Sequence, residues 1–529
     1  MNRFAVAAAA LGLALLTFFQ FPGHTYLQQD SQIYVPILEH QRDPSILRNE
    51  MLVQRPPVAF TIYDETARLL RAASGLDFRD VLAFQQVVTR ALGIWGLYLV
   101  AASLGLAAGP AWLVAAIASL GATIPGPTVL TFEYEPTPRA FAVPLLLCAL
   151  GLAAGKRYWA AAIAAGAAFL YHPPTALPFW GLLVVVLLVR REWRALAPLG
   201  ASAALLLLAA FTQTGPGEAQ TFLGRLTPFQ EQLQRFRAPY VWVSIWPATL
   251  IASHVALCGV ALAAFARIRR QASFELRIFL LGLPLLGVIS MPVSWLLLEH
   301  WHWALIPQIQ PMRMLLFVAL SMQILTAAAG VFAAKCRRLV EAVAWFALAY
   351  LLPLDPAVTQ PLPWRRVAVL AALAAATAFT VARRPRFAPA VAVAACFAIP
   401  ILGGVVNYPN ALTPEVAQLS AWARTSTPKD AVFLFPDAGR GIDPGIFRSE
   451  ALRAVYVDWK GGGQMNYFKD LGEQWWFRWQ QTGALAHFRS ADLAKYDGLG
   501  IQYVMLRPAH RLTRPALFEN RAYVAYPVR

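Results

Sequence analysis

FAVAAAALGLALLTFFQFPGHTYLQQDS, residues 4–31, carries an apolar run straight into a polar segment with an acid near its end. The run 4–22 follows a single Arg3 and closes on Phe18, Phe19, Gln20 and Phe21. A signal peptidase requires small residues there, so the run reads as a first membrane span that is kept. Asp30 then stands just past that span, at the mouth of an apolar bundle, where a carboxylate is costly unless it is paired or used.

The remainder of the chain repeats the theme. Of 529 residues 58% are hydrophobic and only 14% charged, the composition of an α-helical polytopic membrane protein. Further apolar runs lie at 84–106, 110–130, 139–154, 158–172, 174–189, 196–212, 245–266, 276–298, 311–333, 339–352, 364–382 and 388–405, which gives about 13 spans with the first. The net charge of +17 would suit nucleic acid, but the excess sits in short clusters at alternate ends of the runs, which is a topology signal. No nucleic-acid partner is expected. Cys148, Cys258, Cys336 and Cys396 all fall in or beside apolar runs without paired spacing, so neither a disulfide framework nor a zinc site is indicated.

The clusters Lys156-Arg157, Arg190-Arg191 with Arg194, Arg267 with Arg269-Arg270, Lys335 with Arg337-Arg338, and Arg383-Arg384 with Arg386 all fall on loops that share one side. That side is cytoplasmic, with the amino terminus on it. Arg365 and Arg366 break the pattern. The outside receives the long loop 23–83, the loops 131–138, 213–244 and 299–310, and everything after 406. Two domains follow: a membrane domain, 1–406, and an extracytoplasmic α/β domain, 407–529, whose apolar stretches shorten to strand length. Strands are expected at 431–435, 454–458, 502–506 and 523–526, and helices at 414–425, 466–481 and 490–496.

Polar residues gather on the outer face. The loop 23–83 is far longer than a connector needs, and long ordered loops tend to be functional; short helices are expected at 33–38 and 58–70. Asp30 reads either as a cap for the helix that follows or as a site acid. TFEYEPTPRAF, 131–141, places Glu133, Glu135 and Arg139 close to the bilayer, as an internal ion pair or as a polar site. Acids from two loops on one face can divide the work of general base and orienting or cation-holding group. His172 opens HPPT at a helix exit. EHWHW, 299–303, supplies Glu299, His300 and His302 beside Trp301 and Trp303; the tryptophans read as interfacial anchors, and the histidines as part of that belt or, less commonly, as metal ligands. Arg313, in QPMRMLL, enters a span with no adjacent acid and would suit the phosphate of a lipid carrier. In the tail, the glycines 461–463 read as a turn, since no phosphate-loop pattern surrounds them.

This arrangement resembles the GT-C superfamily of membrane glycosyltransferases, which includes oligosaccharyltransferases, protein O-mannosyltransferases and aminoarabinose transferases. The likeness rests on a first span, a long outer loop with an early acid, a second acidic site about a hundred residues later, many spans and an outer carboxy-terminal domain. DSQIYVPILEHQRDPS, QPMRMLL and FRSEALRAVYVDWKGG look closer still to an uncharacterised group of bacterial multi-pass proteins. The WWDYG motif of oligosaccharyltransferases is absent; Asp458-Trp459-Lys460 and Trp475-Trp476 do not reproduce it.

The resemblance implies sugar transfer from a polyprenyl-phosphate or diphosphate donor to a glycan, lipid or protein acceptor at the outer face of a bacterial inner membrane. Asp30, Glu133 and Glu135 are its candidate catalytic residues, with a divalent cation, Mg or Mn, as a cofactor that a glutamate would hold. Arg313, Arg139, His172, His300, His302 and Tyr34 are its candidate substrate-binding residues. A transporter or flippase of lipid-linked glycans would carry charges near mid-membrane and internal repeats. A non-catalytic assembly protein would scatter the polar residues over separate surfaces.

Overall fold

The computed structural model describes residues 3–54, 61–213, 224–355, 361–406, 411–466, 469–482 and 492–529. Each apolar run holds a helix, and the protein is a helical membrane protein with a small C-terminal sheet domain. Among the described residues, five helices are long and apolar enough to cross a membrane: Pro173–Arg190, Ala248–Ile268, Phe274–His300, Ile306–Lys335 and Trp364–Arg383. The others are shorter or carry more polar residues. At the centre of the bundle, Phe78–Ser103 packs on Pro138–Ala154 so closely that a Cβ on Gly96 would collide with the Leu147 carbonyl. Small residues let helix backbones approach where lipid gives no hydrophobic push.

Loops expected to share a side meet at one end of the bundle. Glu275 accepts hydrogen bonds from Arg190 Nε and Tyr158 Oη, both at 2.7 Å, and Glu341 pairs with Arg267 at 2.6 Å and with Arg338 at 3.5 Å. The exceptional arginines at the other end have a local task. Arg365 Nη2 and Arg366 Nε donate to the carbonyls of Leu402 and Gly403, at 3.2 and 3.3 Å, just after helix Ala388–Ile401. Cations there complement a helix C-terminus and its unpaired carbonyls.

The run 110–130 departs from the expected span. Its helix stops at Ser119, because Gly121 takes a positive φ of 73° and Pro125, Gly126 and Pro127 follow. The chain forms a two-residue hairpin instead, β1 (Thr123–Ile124) antiparallel to β2 (Val129–Leu130), and then runs non-helically to Thr137. This segment is largely buried and its backbone is satisfied by protein groups. Gln86 Nε2 and Arg90 Nη2 both donate to the Glu133 carbonyl at 2.8 Å, and Thr25 N donates to the Tyr134 carbonyl at 2.9 Å. Irregular backbone is tolerated within an apolar bundle only on such terms.

In the first outer loop, the helix expected at 33–38 extends over Ser31–Arg42. Of the helix expected at 58–70, residues 58–60 lie outside the described ones, Thr61 and Ile62 precede the helix, and 63–70 fall in Tyr63–Ser74. The tail folds as a five-stranded sheet ordered β4-β3-β5-β7-β6, from β3 (Val432–Leu434), β4 (Ala454–Val455), β5 (Tyr503–Leu506), β6 (Phe518–Glu519) and β7 (Val524–Pro527). β3 runs parallel to β4 and β5, while β5–β7 and β7–β6 are antiparallel. Helices Pro414–Ser426, Lys469–Thr482 and Asp492–Asp497 stand near their expected places; residues 467, 468, 490 and 491 of those readings lie outside the described ones. Helix Asp443–Ala451, unexpected from the sequence, docks the tail on Ser31–Arg42, with Gly445 so close that a Cβ would strike the Gln32 side chain.

Candidate functional site

The two glutamates of the second outer loop are occupied by structure. Glu135, 1% exposed, accepts from the backbone N–H groups of Gln28 (2.5 Å), Gln29 (2.7 Å) and Ser31 (3.0 Å) and from Ser31 Oγ (2.9 Å). It fixes the turn into helix Ser31–Arg42 and supplies the anion that a helix N-terminus favours. Burial pushes its pKa up to about 7 against the pull of those donors. Glu133 Oε1 takes Arg139 Nε at 2.6 Å in a buried pair.

Asp30 is placed by the turn that Glu135 holds. It occupies the cap position of the helix yet makes no side-chain cap bond. Its carboxylate receives Lys460 Nζ from the tail at 2.9 Å instead, and Lys460 also reaches Gln29 Oε1 at 3.4 Å. The Lys460 ammonium holds the Asp30 carboxyl far below the usual carboxylate range, against the opposing effect of burial, with Arg139 and Arg313 adding to the pull. The Asp30 side chain is 47% exposed, and it opens onto a cavity of about 220 Å³.

That cavity is assembled from six stretches of chain. Gln29, Asp30, Ile33 and Tyr34 come from the first loop, Thr128, Thr137, Pro138 and Arg139 from the hairpin and the helix after it, and His172 from its helix exit. Arg237 and Tyr240, Gln310 and Arg313, and the tail's Lys460, Gly463 and Asn466 complete it. Asp30 is the single carboxylate of the lining, facing the cations Arg139, Arg237, Arg313 and Lys460. Counting Glu133 behind Arg139, an excess of two positive charges remains. His172 Nδ1 accepts from Thr175 N at 3.3 Å, and burial, with Arg139 and Arg313 nearby, lowers its pKa well below the ordinary imidazole value. The carboxamide oxygens of Gln310 and Asn466 are buried and accept no hydrogen bond from protein.

The tail grips this site through a shared apolar core, which joins Leu27, Val35 and Leu38 to Phe433, Ile446 and Phe447, and through ions. Arg448, 0% exposed, lies 2.8 Å from Asp458 Oδ1 and 3.8 Å from Glu50 Oε1, and its Nη2 donates to the Gln32 carbonyl at 3.1 Å. Glu50 in turn accepts from Val455 N at 2.9 Å. Burial raises the Glu50 pKa, with Arg448 opposing it. Two residues beyond Asp458 the chain delivers Lys460 to the cavity, and Gly462 follows, where a Cβ would lie 2.5 Å from Trp475.

Of the residues singled out from sequence, the cavity gathers Asp30, Tyr34, Arg139, His172 and Arg313. Glu133 stands one ion pair behind it and Glu135 behind the Asp30 turn. His300 stacks on Trp295, and His302 Nε2 lies 3.2 Å from Glu231 Oε2; neither is in the lining. Arg237 and Lys460 escaped the sequence reading. Arg237 ends helix Pro228–Arg237, which a Thr227–Gln230 capping box announces. It donates to the Trp459 carbonyl at 2.8 Å and lies over that ring at 4.5 Å. Lys460 stood in plain view inside FRSEALRAVYVDWKGG. As a seat for a divalent cation the lining fits poorly, since its one carboxylate is bound to an ammonium and surrounded by guanidinium groups. Among the described residues no three His, Cys, Asp or Glu side chains cluster as metal ligands would.

Residues 414–481 match a family model described as a domain of unknown function, DUF6798. No curated protein sequence matches the chain. Among solved structures, ArnT from Cupriavidus metallidurans in the apo state aligns over 99% of this chain and 97% of its own, at 14% identity and a TM-score of 0.45. The arabinofuranosyltransferase AftD from Mycobacteria aligns over 96% of this chain at 15% identity and a TM-score of 0.44, and a mutant form of it over 100% at 16% and 0.46. The chain spans 35% and 42% of those two AftD chains. At such scores function is read from the cavity's own residues.

Proposed function

We propose that this protein is a GT-C-type membrane glycosyltransferase that moves a sugar from a polyprenyl-phosphate or diphosphate donor to an acceptor hydroxyl or amine. One observation carries the reading: a single carboxylate, Asp30, shares a cavity with four cations on a bundle of apolar helices. The acceptor binds with its nucleophile toward Asp30. As the new bond to the sugar's C1 forms, the C1–O bond to phosphate breaks, the electron pair stays on the phosphate oxygen, and the acceptor proton passes to Asp30. A phosphodiester donor gains one negative charge in that step. Asp30 loses its charge in the same step, so the excess on the lining rises from two to three as the phosphate gains its second negative charge, and the cations face the charge that develops on the departing oxygen.

Arg313, Arg237 and Lys460 hold the phosphate in this scheme, while Arg139 is already matched by Glu133. Glu133 and Glu135 act by position, and no metal step is needed. The loop clusters of lysine and arginine support an inner-membrane setting with the cavity and tail outside. Reconstituted protein given labelled polyprenyl-linked sugars tests the assignment. Asp30→Asn should cut transfer by about 10²–10⁴-fold while leaving the fold intact; equal transfer by the variant and wild type would refute the role given to Asp30.

A further inference from the structure

The Asp30–Lys460 pair has an internal conflict. A carboxylate that is to receive a proton is bound to an ammonium 2.9 Å away, which leaves it a weak base. Lys460 is also one of four cations on the wall of the same cavity, so an anion entering there competes with Asp30 for it. The two arginines nearest in role are less free to answer: Arg139 is bound to Glu133, and Arg237 is tied to the Trp459 carbonyl and ring. Lysine bears its charge on a flexible four-carbon stem and can change partner without moving the backbone. The backbone at that point is pinned by Asp458 on Arg448 and by Gly462 against Trp475.

We propose that Lys460 is a positioning residue through which the tail keeps Asp30 paired until the donor's phosphate takes the ammonium, releasing the carboxylate to act as base. The proposal rests on the glycosyltransferase reading and adds to it a regulation of the base by the donor. It assigns the tail a part in the reaction cycle that anchoring alone would not require.

The test uses the full chain in nanodiscs, with undecaprenyl phosphate as the probe. Infrared difference spectra follow the Asp30 carboxyl, its band identified by loss in Asp30→Asn, while lipid binding is measured on the same samples. In wild type, bound lipid should raise the Asp30 titration midpoint by about one pH unit or more. In Lys460→Gln the midpoint should already be high without lipid and should rise on binding by much less than in wild type, since only the phosphate's own charge then acts on it; Lys460→Arg should restore part of the larger response. Lipid that binds wild type without moving the Asp30 midpoint overturns the proposal and leaves the donor reading standing. Failure of the lipid to bind wild type at all overturns the donor reading, and this proposal with it.

Discussion

Beside their apolar packing, the tail and the first outer loop meet at two neighbouring ionic junctions, one sealed and one open, and they are built to opposite ends. Arg448, Glu50 and Asp458 form a sealed triad whose side chains are 0–3% exposed, bolstered by backbone donors and the Gln32 carbonyl. Asp30 and Lys460, the latter only two residues beyond Asp458, are 47% and 14% exposed and open on the cavity. A sealed ionic cluster gives rigidity, since removing one member strands the others in low dielectric. An open pair can exchange partners with whatever enters. The sealed cluster is built as an anchor, and the open pair stands where the proposed chemistry would occur.

Breaking the sealed junction should have the largest effect. Arg448→Met leaves Glu50 and Asp458 buried without a cation and should cost about 3–5 kcal/mol, seen as a lower melting temperature and protease release of the tail. Adding Glu50→Gln and Asp458→Asn to it should recover most of that loss. If the single and triple variants melt alike, the triad is not an anchor. Glu135→Ala should rank next, at about 1–3 kcal/mol, because it leaves the donors of Gln28, Gln29 and Ser31 without an acceptor. Its melting point should fall, and transfer with it, since Asp30 rides on that turn.

The smallest effect sharpens the contrast from the open side. Asp30 has a depressed pKa in the folded protein, so the stability its pair contributes is present above the ordinary value of 3.8 and is lost as pH falls through the lower folded value. The melting difference between wild type and Lys460→Met should therefore be small and constant above about pH 4 and close below it. A difference that closes nearer neutrality would place the titration elsewhere.

Much of this was legible in the sequence. Apolar runs and basic clusters locate the helices and their shared ends because both follow from the lipid solvent, which acts on each segment separately. Asp30, Arg139, His172 and Arg313 were visible as polar residues at helix exits on one face. What escaped depends on partners distant in the chain. Whether Glu135 is a site acid or a turn clamp is decided by residues 28–31, about a hundred positions away, and Lys460 reaches Asp30 across 430 positions. The arginines at 365 and 366 looked anomalous because their carbonyl partners at 402 and 403 carry no sequence signature. The break at Gly121 was readable from its glycines and prolines, but the hydrophobicity of 110–130 masked it.

That break has a geometrical result. Helix Ala108–Ser119 starts level with the turn at Pro385, on which Gly109 sits, and its 12 residues rise about 18 Å. Helix Trp364–Arg383, ending at the same turn, has 20 residues and rises about 30 Å, the thickness of a hydrocarbon core. The short helix stops roughly 12 Å early, and the irregular chain through Thr137 fills the shortfall beneath Thr128 and Arg139. Thr128, Thr137, Pro138 and Arg139 of the cavity lining are carried by that stretch and by the start of the helix after it. In the proposed reaction, a donor headgroup would meet its polar partners on that non-helical stretch while its chain remained in lipid.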